Sequence, residues 1–210
     1  MEAFIHHAQY NFIREQGRKL VGAYVTSQDS AVLEAIESLV EDDVLSEFPN
    51  RTEDQQRLLL SIKNMNTKED LDIYLEMLKA YVHPWKISEK KIEKLFPKVK
   101  KLNVPEVDEM DLRNYSYLSW IDQGSRKKFI VSEENGELIG VQGTFTPSNK
   151  DGICNICQEH ESLGLFLTEK KGKELGTYSK KGNYICKDSE RCNDNLTNLD
   201  GLQEFIERVQ

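Results

Sequence analysis

All four cysteines of this 210-residue chain fall within its last 57 residues, at Cys154, Cys157, Cys186 and Cys192. The first two form Cys154-Asn155-Ile156-Cys157, a C-x2-C knuckle whose tight turn aims both sulfurs at one point. The second two are separated by five residues, in Cys186-Lys187-Asp188-Ser189-Glu190-Arg191-Cys192. The 28 residues between the pairs are enough for a β-hairpin carrying residues 163–167 and 178–185. Four thiolates so arranged fit one closed tetrahedral Zn2+ site, with no open position for a substrate. Such a site supplies folding energy rather than chemistry. Three alternatives stay open on spacing alone. Two disulfides would need an oxidising compartment, which nothing else in the sequence suggests. Free structural thiols would have no use for the C-x2-C spacing. His160, three residues after Cys157, could replace one cysteine as ligand. Knuckle, hairpin and a fourth ligand entering a C-terminal helix that carries Leu202, Phe205 and Ile206 together follow the treble-clef plan.

Upstream the pattern is helical. Phe4, Ile5, Tyr10, Phe12, Ile13, Leu20, Val21 and Tyr24 recur at the spacing of one long amphipathic helix. Val32, Leu33, Ile36, Leu39, Val40, Val44 and Leu45 make a second helix, starting near residues 27–30. Thr52-Glu53-Asp54-Gln55 has the form of a capping box ahead of Leu58, Leu59, Leu60 and Ile62. Asn66-Thr67-Lys68-Glu69 repeats it ahead of Leu71, Ile73, Tyr74, Leu75, Met77, Leu78 and Val82. Four helices on short loops can bury their apolar stripes only against one another, so residues 1–82 are expected to form an antiparallel four-helix bundle.

His83-Pro84 ends that run, because the residue before proline resists helix. A short helix over about 88–96 follows, then strands at 117–121, 128–131 and 138–141. Asn135-Gly136 separates the last two, a hairpin signal because both residues tolerate φ > 0. The expected fold class is α+β: the bundle, then an α/β domain over 83–210 ending in a four-cysteine finger from about residue 150.

Composition narrows the functional classes. The net charge is −8, against binding of polyanions by the chain as a whole. The charge is uneven, with 8 basic and 15 acidic residues in 1–82 against 20 and 21 in 83–210. The second part carries a basic run, Lys90, Lys91, Lys94, Lys98, Lys100 and Lys101, and smaller ones at Arg126-Lys127-Lys128, Lys170-Lys171-Gly172-Lys173 and Lys180-Lys181. Each run also reads simply as a solvated face. No apolar stretch reaches spanning length and the start lacks a secretion signal, so a cytoplasmic protein without membrane contact is expected. Enzyme motifs are absent: Gly172-Lys173 is followed by Glu174, Gly140-Val141-Gln142-Gly143 sits in a strand, and His6-His7 reads as a pair of surface residues. No enzymatic activity is expected.

Several separated segments resemble one family. Gly152-Ile153-Cys154-Asn155-Ile156-Cys157 and Tyr184-Ile185-Cys186-Lys187-Asp188-Ser189 with Cys192 are similar to the finger of the FusB-type elongation factor G-binding proteins. Gln9-Tyr10-Asn11-Phe12-Ile13-Arg14 and Phe96-Pro97-Lys98-Val99-Lys100-Lys101 resemble the same family in the corresponding places. The resemblance implies a helical bundle followed by a zinc-bearing domain that contacts the translocase EF-G and frees it from ribosomes stalled by fusidic acid. It implies zinc ligation by Cys154, Cys157, Cys186 and Cys192, and EF-G contact at Ile153, Lys181, Tyr184 and Phe205. Ile153 departs from the family, where a phenylalanine stands at this place in the relative compared. On the residues alone, Tyr184 reads equally as packing beneath the finger, Phe205 on its amphipathic terminal helix reads as core before contact, and Lys181 reads as a rim charge. Freeing a trapped complex breaks no bond, so a monomeric binder that shifts EF-G between conformations suffices. The lysine runs keep three readings open: a contact with an acidic surface of EF-G, a contact with nearby rRNA, or a zinc-finger nucleic-acid-binding protein.

Overall fold

The computed structural model describes residues 1–99, 101–134, 136–171 and 178–210. Lys100 of the basic run, Asn135 of the hairpin dipeptide and residues 172–174 lie outside them, as do the side chains of Lys170 and Lys171. The chain divides into two compact units, Met1–His83 and Pro84–Gln210.

The first unit contains four α-helices: α1 (His7–Thr26), α2 (Ser30–Ser46), α3 (Glu53–Leu60) and α4 (Lys68–Lys79). A 3-10 turn, Ser61–Asn64, extends α3. Its core is Ile13 and Leu20 from α1, Val40 and Val44 from α2, Leu59, Ile62, and Leu71, Tyr74, Leu75 and Leu78 from α4. The capping box at Thr52 forms as the spacing predicts, with the Thr52 hydroxyl accepting from Gln55 N and the Gln55 side chain accepting from Thr52 N. At α4 the box sits one residue later than expected, on Thr67 and Asp70. The β-hydroxyl of Thr67 reaches Asp70 N at 3.1 Å and the Asp70 carboxylate answers at 3.1 Å.

The long first helix is shorter than its apolar pattern. Phe4 and Ile5 precede it in extended form, both N–H groups donating to Tyr81 O while His83 N donates to Ile5 O. Ile5 thereby pairs with Val82 and is fully buried. An apolar residue flanking a helix can join the same core by strand-like pairing, which periodicity does not distinguish.

The second unit is built on one antiparallel sheet in simple order: β1 (Tyr117–Asp122), β2 (Lys127–Glu134), β3 (Glu137–Ile153), β4 (His160–Lys171) and β5 (Tyr178–Cys186). The β2–β3 hairpin closes between Glu134 and Glu137, with Gly136 at φ +81°, a conformation that favours glycine. Two-residue alternation feeds a core on each face. Leu118, Phe129 and Val131 pack with Ile92 and Phe96 of α5 (Glu89–Leu95) and its flanking segments. Trp120 stacks on Phe129, their centroids 5.3 Å apart, and Phe96 meets Phe129 edge-on at 5.0 Å. Tyr117, Ile130, Val141, Phe166 and Ile185 pack instead with α6 (Ser189–Asn195), α7 (Asp200–Val209) and the four cysteines.

The finger is not appended to the sheet but continuous with it. β3 runs 17 residues and delivers its last residue, Ile153, directly to the first cysteine. Pairing with β4 resumes after an irregularity between Pro147 and Asp151. β2 pairs with β3 only as far as Thr144, so Pro147 lies where β3 has a single neighbour and its missing N–H breaks no second ladder.

Candidate metal centre and partner-binding face

The knuckle is shaped by backbone bonds. Cys154 N donates to Glu159 O, and Gln158 N donates to Cys154 O, both at 2.9 Å, with Gln158 in the left-handed region at φ +61°. Asn155 N reaches across to Tyr184 O at 3.0 Å, tying the knuckle to β5. Cys186 ends β5, and Lys187 N donates to Ser162 O at 2.9 Å. Asp188 then caps α6 by accepting from Glu190 N and Arg191 N. The wide second pair thus holds a strand end, a cap and the first turn of a helix.

Cys192 sits on α6, not on the C-terminal helix that carries Leu202, Phe205 and Ile206. The chain breaks after Asn195 and restarts as α7 at Asp200, a division the apolar pattern conceals. Next to Cys192, the buried Asn193 fastens α6 to β1. Its carbonyl oxygen accepts from Ser116 N at 2.7 Å and Tyr117 N at 3.2 Å, and its amide donates to Tyr117 O at 3.0 Å and Ser189 O at 2.9 Å. Arg191 and Asn195 both donate to the Glu161 carboxylate, joining α6 to β4.

The four sulfurs are buried and lie within 4.8 Å of one another. Cys154 and Cys192 are 3.9 Å apart and Cys157 and Cys186 3.7 Å. A tetrahedron of Zn–S bonds of about 2.3 Å has edges of about 3.8 Å, so the cage has the size zinc requires. These separations are far beyond a disulfide bond of about 2.05 Å. His160 is exposed and outside the cluster. Backbone donors already point at the cage, with Ile156 N and Cys186 N each 3.3 Å from Cys154 Sγ. The four sulfurs are close enough to act on one another's protonation. Hydrogen bonds from Cys157, Cys186 and Cys192 hold Cys154 far below the thiol range, while donation drives Cys186 and Cys192 far above it. A divalent cation takes all four as thiolates. Tyr117, buried against the cage, has its phenol pushed well above its usual value of 10, first by burial and then by Cys192.

Comparison with known proteins agrees with this geometry. Residues 4–86 match the model of the N-terminal domain of the elongation factor G-binding protein, and residues 96–207 match the FBP C-terminal treble-clef zinc-finger. The chain belongs to this family. A solved structure, that of the fusidic acid resistance protein FusC, superposes with a TM-score of 0.87 at 31% identity, over 98% of this chain and 97% of that one. No curated protein matches. The centre of this elongation factor G-binding family member is one structural zinc ion held by Cys154, Cys157, Cys186 and Cys192.

The other residues named by the resemblance are placed differently from one another. Ile153 is 56% exposed and Tyr184 46% exposed, flanking the knuckle from β3 and β5. Lys181 is exposed on β5. Two residues separate it from Tyr184 in an unbroken ladder, so their side chains leave opposite faces of this edge strand. Phe205 is 2% exposed and lies edge-on to Phe166, their centroids 5.4 Å apart. Its side chain supports the sheet from beneath and offers no surface of its own.

Two expectations about charged residues need correction. His7 is buried, not a surface partner of His6, because the first turn of α1 faces the core. Lys128, expected in a solvated basic run, is also buried, since β2 alternation turns it inward. Burial pushes its pKa down, against an upward pull from Cys192, Cys186 and Cys154. A lysine flanked by Phe129-Ile130-Val131 on a central strand was the available signal for it.

Proposed function

We propose that this protein binds elongation factor G through the zinc-pinned end of its second unit and promotes release of the factor from the ribosome, relieving fusidic acid inhibition. Family membership supports the partner, and the likeness to the fusidic acid resistance protein FusC supports the link to the drug. The observation that carries the site is the exposure of Ile153 and Tyr184 on the strands flanking a knuckle whose backbone is tied to β5 at 3.0 Å. Two exposed apolar side chains on a rigid, metal-fixed frame lose little conformational entropy on docking, which suits an anchor. Lys181, around the strand edge, serves as a rim charge. Phe205 acts through the sheet it supports.

Its action is that of a binder and not of an enzyme. Residues 83–210 carry the contact, and residues 1–82 form the helical domain. The working species is a monomer in the cytoplasm that engages both free EF-G and the stalled ribosome–EF-G complex. Release follows if the bound conformation of EF-G disfavours the drug-locked one, to the extent of the difference in affinity between the two.

Titration of the zinc-loaded protein against purified EF-G tests the site. Tyr184→Ala and Ile153→Ala are each expected to weaken a 1:1 complex about tenfold or more. Lys181→Ala is expected to have a smaller, salt-dependent effect. No complex with EF-G, or a complex indifferent to both apolar changes, refutes this reading. A complex that forms but leaves EF-G departure from fusidic acid-stalled ribosomes unchanged refutes the release step alone. One observation favours a further contact with RNA: Lys90, Lys91, Lys94, Lys98 and Lys101 are all exposed along α5 and the segment after it. That reading, and the alternative of a zinc-finger nucleic-acid-binding protein, requires tight binding to naked RNA with a steep salt slope.

A further inference from the structure

A zinc ion with four thiolates carries a net charge of −2, and here all four sulfurs are buried. Burying that charge is costly unless hydrogen bonds and countercharge compensate it. Two backbone N–H groups serve Cys154. These are dipoles and leave the net charge unchanged.

Among the described residues Lys128 is the one buried lysine or arginine, at 2% exposed. Its Nζ has three acceptors: Ser189 Oγ at 3.0 Å, Lys187 O at 3.4 Å and Cys186 O at 3.5 Å. An ammonium has three donors, so this set is complete. The face of Phe145 lies over it, 4.6 Å from Nζ to the ring centroid. None of these contacts is a carboxylate. The nearby Asp188 points its carboxylate at the first N–H groups of α6. A buried ammonium whose direct partners are all neutral needs negative charge close by, and here that charge is the metal-thiolate cage, with Asp188 adding to it. All three acceptors belong to the segment between Cys186 and Cys192, the pair whose five-residue spacing lacks the self-contained turn of a C-x2-C knuckle.

We propose that Lys128 is the countercharge of the zinc–tetrathiolate centre and the tether that holds the wide Cys186–Cys192 segment in ligating position. It is a positioning residue: it touches no metal, and acts through the sulfurs and the carbonyls beside them. The second pair can then span five residues because an ammonium from β2 gathers their backbone.

The test is zinc affinity of the full chain, read by competition with a chromophoric chelator, with Co2+ as a spectroscopic stand-in. Lys128→Met keeps length and apolar stem but removes charge and donors. It is expected to weaken zinc binding by about 10- to 100-fold, as loss of an outer-shell partner does. The Co2+ d–d bands should stay those of a tetrahedral S4 site. The sulfur-to-cobalt charge-transfer band should move to longer wavelength, because a cation beside sulfur lowers the level from which the electron departs. A purely structural role would not move that band. Zinc affinity and charge-transfer band both unchanged in Lys128→Met overturn the proposal.

If that variant does not fold, Ser189→Ala decides, since it leaves the charge and loosens one arm of the tether. Its expected loss is about two- to tenfold in zinc affinity, and an unchanged affinity overturns the proposal. The readout needs no EF-G, so it stands or falls separately from the proposed partner.

Discussion

His7 occupies the first position of α1 with its imidazole in the core, and burial, followed by the charges of Arg14 and Lys79, lowers its pKa from 6.5 to about 4. Between those two values the unfolded chain binds a proton that the native state refuses. Stability therefore rises with pH through this window: the contribution is fully present above about 6.5 and lost as pH falls toward 4. A shift of this size corresponds to roughly 3 kcal/mol. An NMR titration of the His7 ring checks it directly, with a midpoint near 4 expected. A midpoint near 6.5 would show the ring to be solvated. Chemical unfolding of the helical unit should also become less pH-dependent between 7 and 4.5 in His7→Gln. Nothing in the sequence marked this histidine as buried, because adjacent polar residues at a helix start usually face solvent. The cysteines were legible for the opposite reason: a metal cage constrains residue type and spacing together. Asn193 lies between these cases. Its hydrogen bonds to Ser116 and Tyr117 join segments more than 70 residues apart, and no local pattern encodes them.

Among elements, α3 and α4 owe their starts to side chains that the sequence shows plainly. At α3 the Thr52 hydroxyl and the Gln55 amide each satisfy one otherwise orphaned donor. Thr52→Ala is expected to lower the stability of the helical unit by about 1 kcal/mol, and Thr67→Ala at α4 by a similar amount. The check is the denaturation midpoint followed by far-UV circular dichroism. Glycine at either position should cost only a few tenths of that, because it tolerates the cap backbone. The strands divide differently. β1 and β2 and the hairpin beginning β3 follow from β-branched and aromatic runs. The far half of β3 does not, since Thr146-Pro147-Ser148-Asn149-Lys150-Asp151-Gly152 has the composition of a loop. That segment is strand because β4 pairs with it on both sides of its irregularity, while the knuckle fixes its far end. Tertiary pairing has overridden local propensity there, which is why sequence reading placed a boundary near residue 150 where the sheet is in fact continuous.

At the scale of the whole molecule, two compact units with separate cores predict that zinc removal is felt unequally. The cysteines belong to the same cluster as Tyr117, Ile130, Val141, Phe166, Phe205 and Ile206, so the cage is part of the core of the second unit and not an ornament at its end. Without the ion, the four buried sulfurs lose the centre that gathers them, and the segment from Cys186 to Asn195 loses its anchor. Because α6 holds Asn193 and thereby β1, the loss is expected to spread from the finger across the sheet to its opposite edge. Both tryptophans, Trp85 and Trp120, lie in this unit and none in the first, so selectively excited tryptophan fluorescence reports on the second unit alone. A strong chelator is therefore expected to lower the fluorescence-detected melting temperature by ten degrees or more, consistent with a structural zinc that contributes on the order of 10 kcal/mol of binding free energy. The helical transition, isolated by circular dichroism at 222 nm after subtraction of the fluorescence-detected step, should stay in place. Chelation that moves both transitions together would mean that the two cores unfold as one cooperative unit. Chelation that moves neither would remove zinc from the account of how the binding face is held.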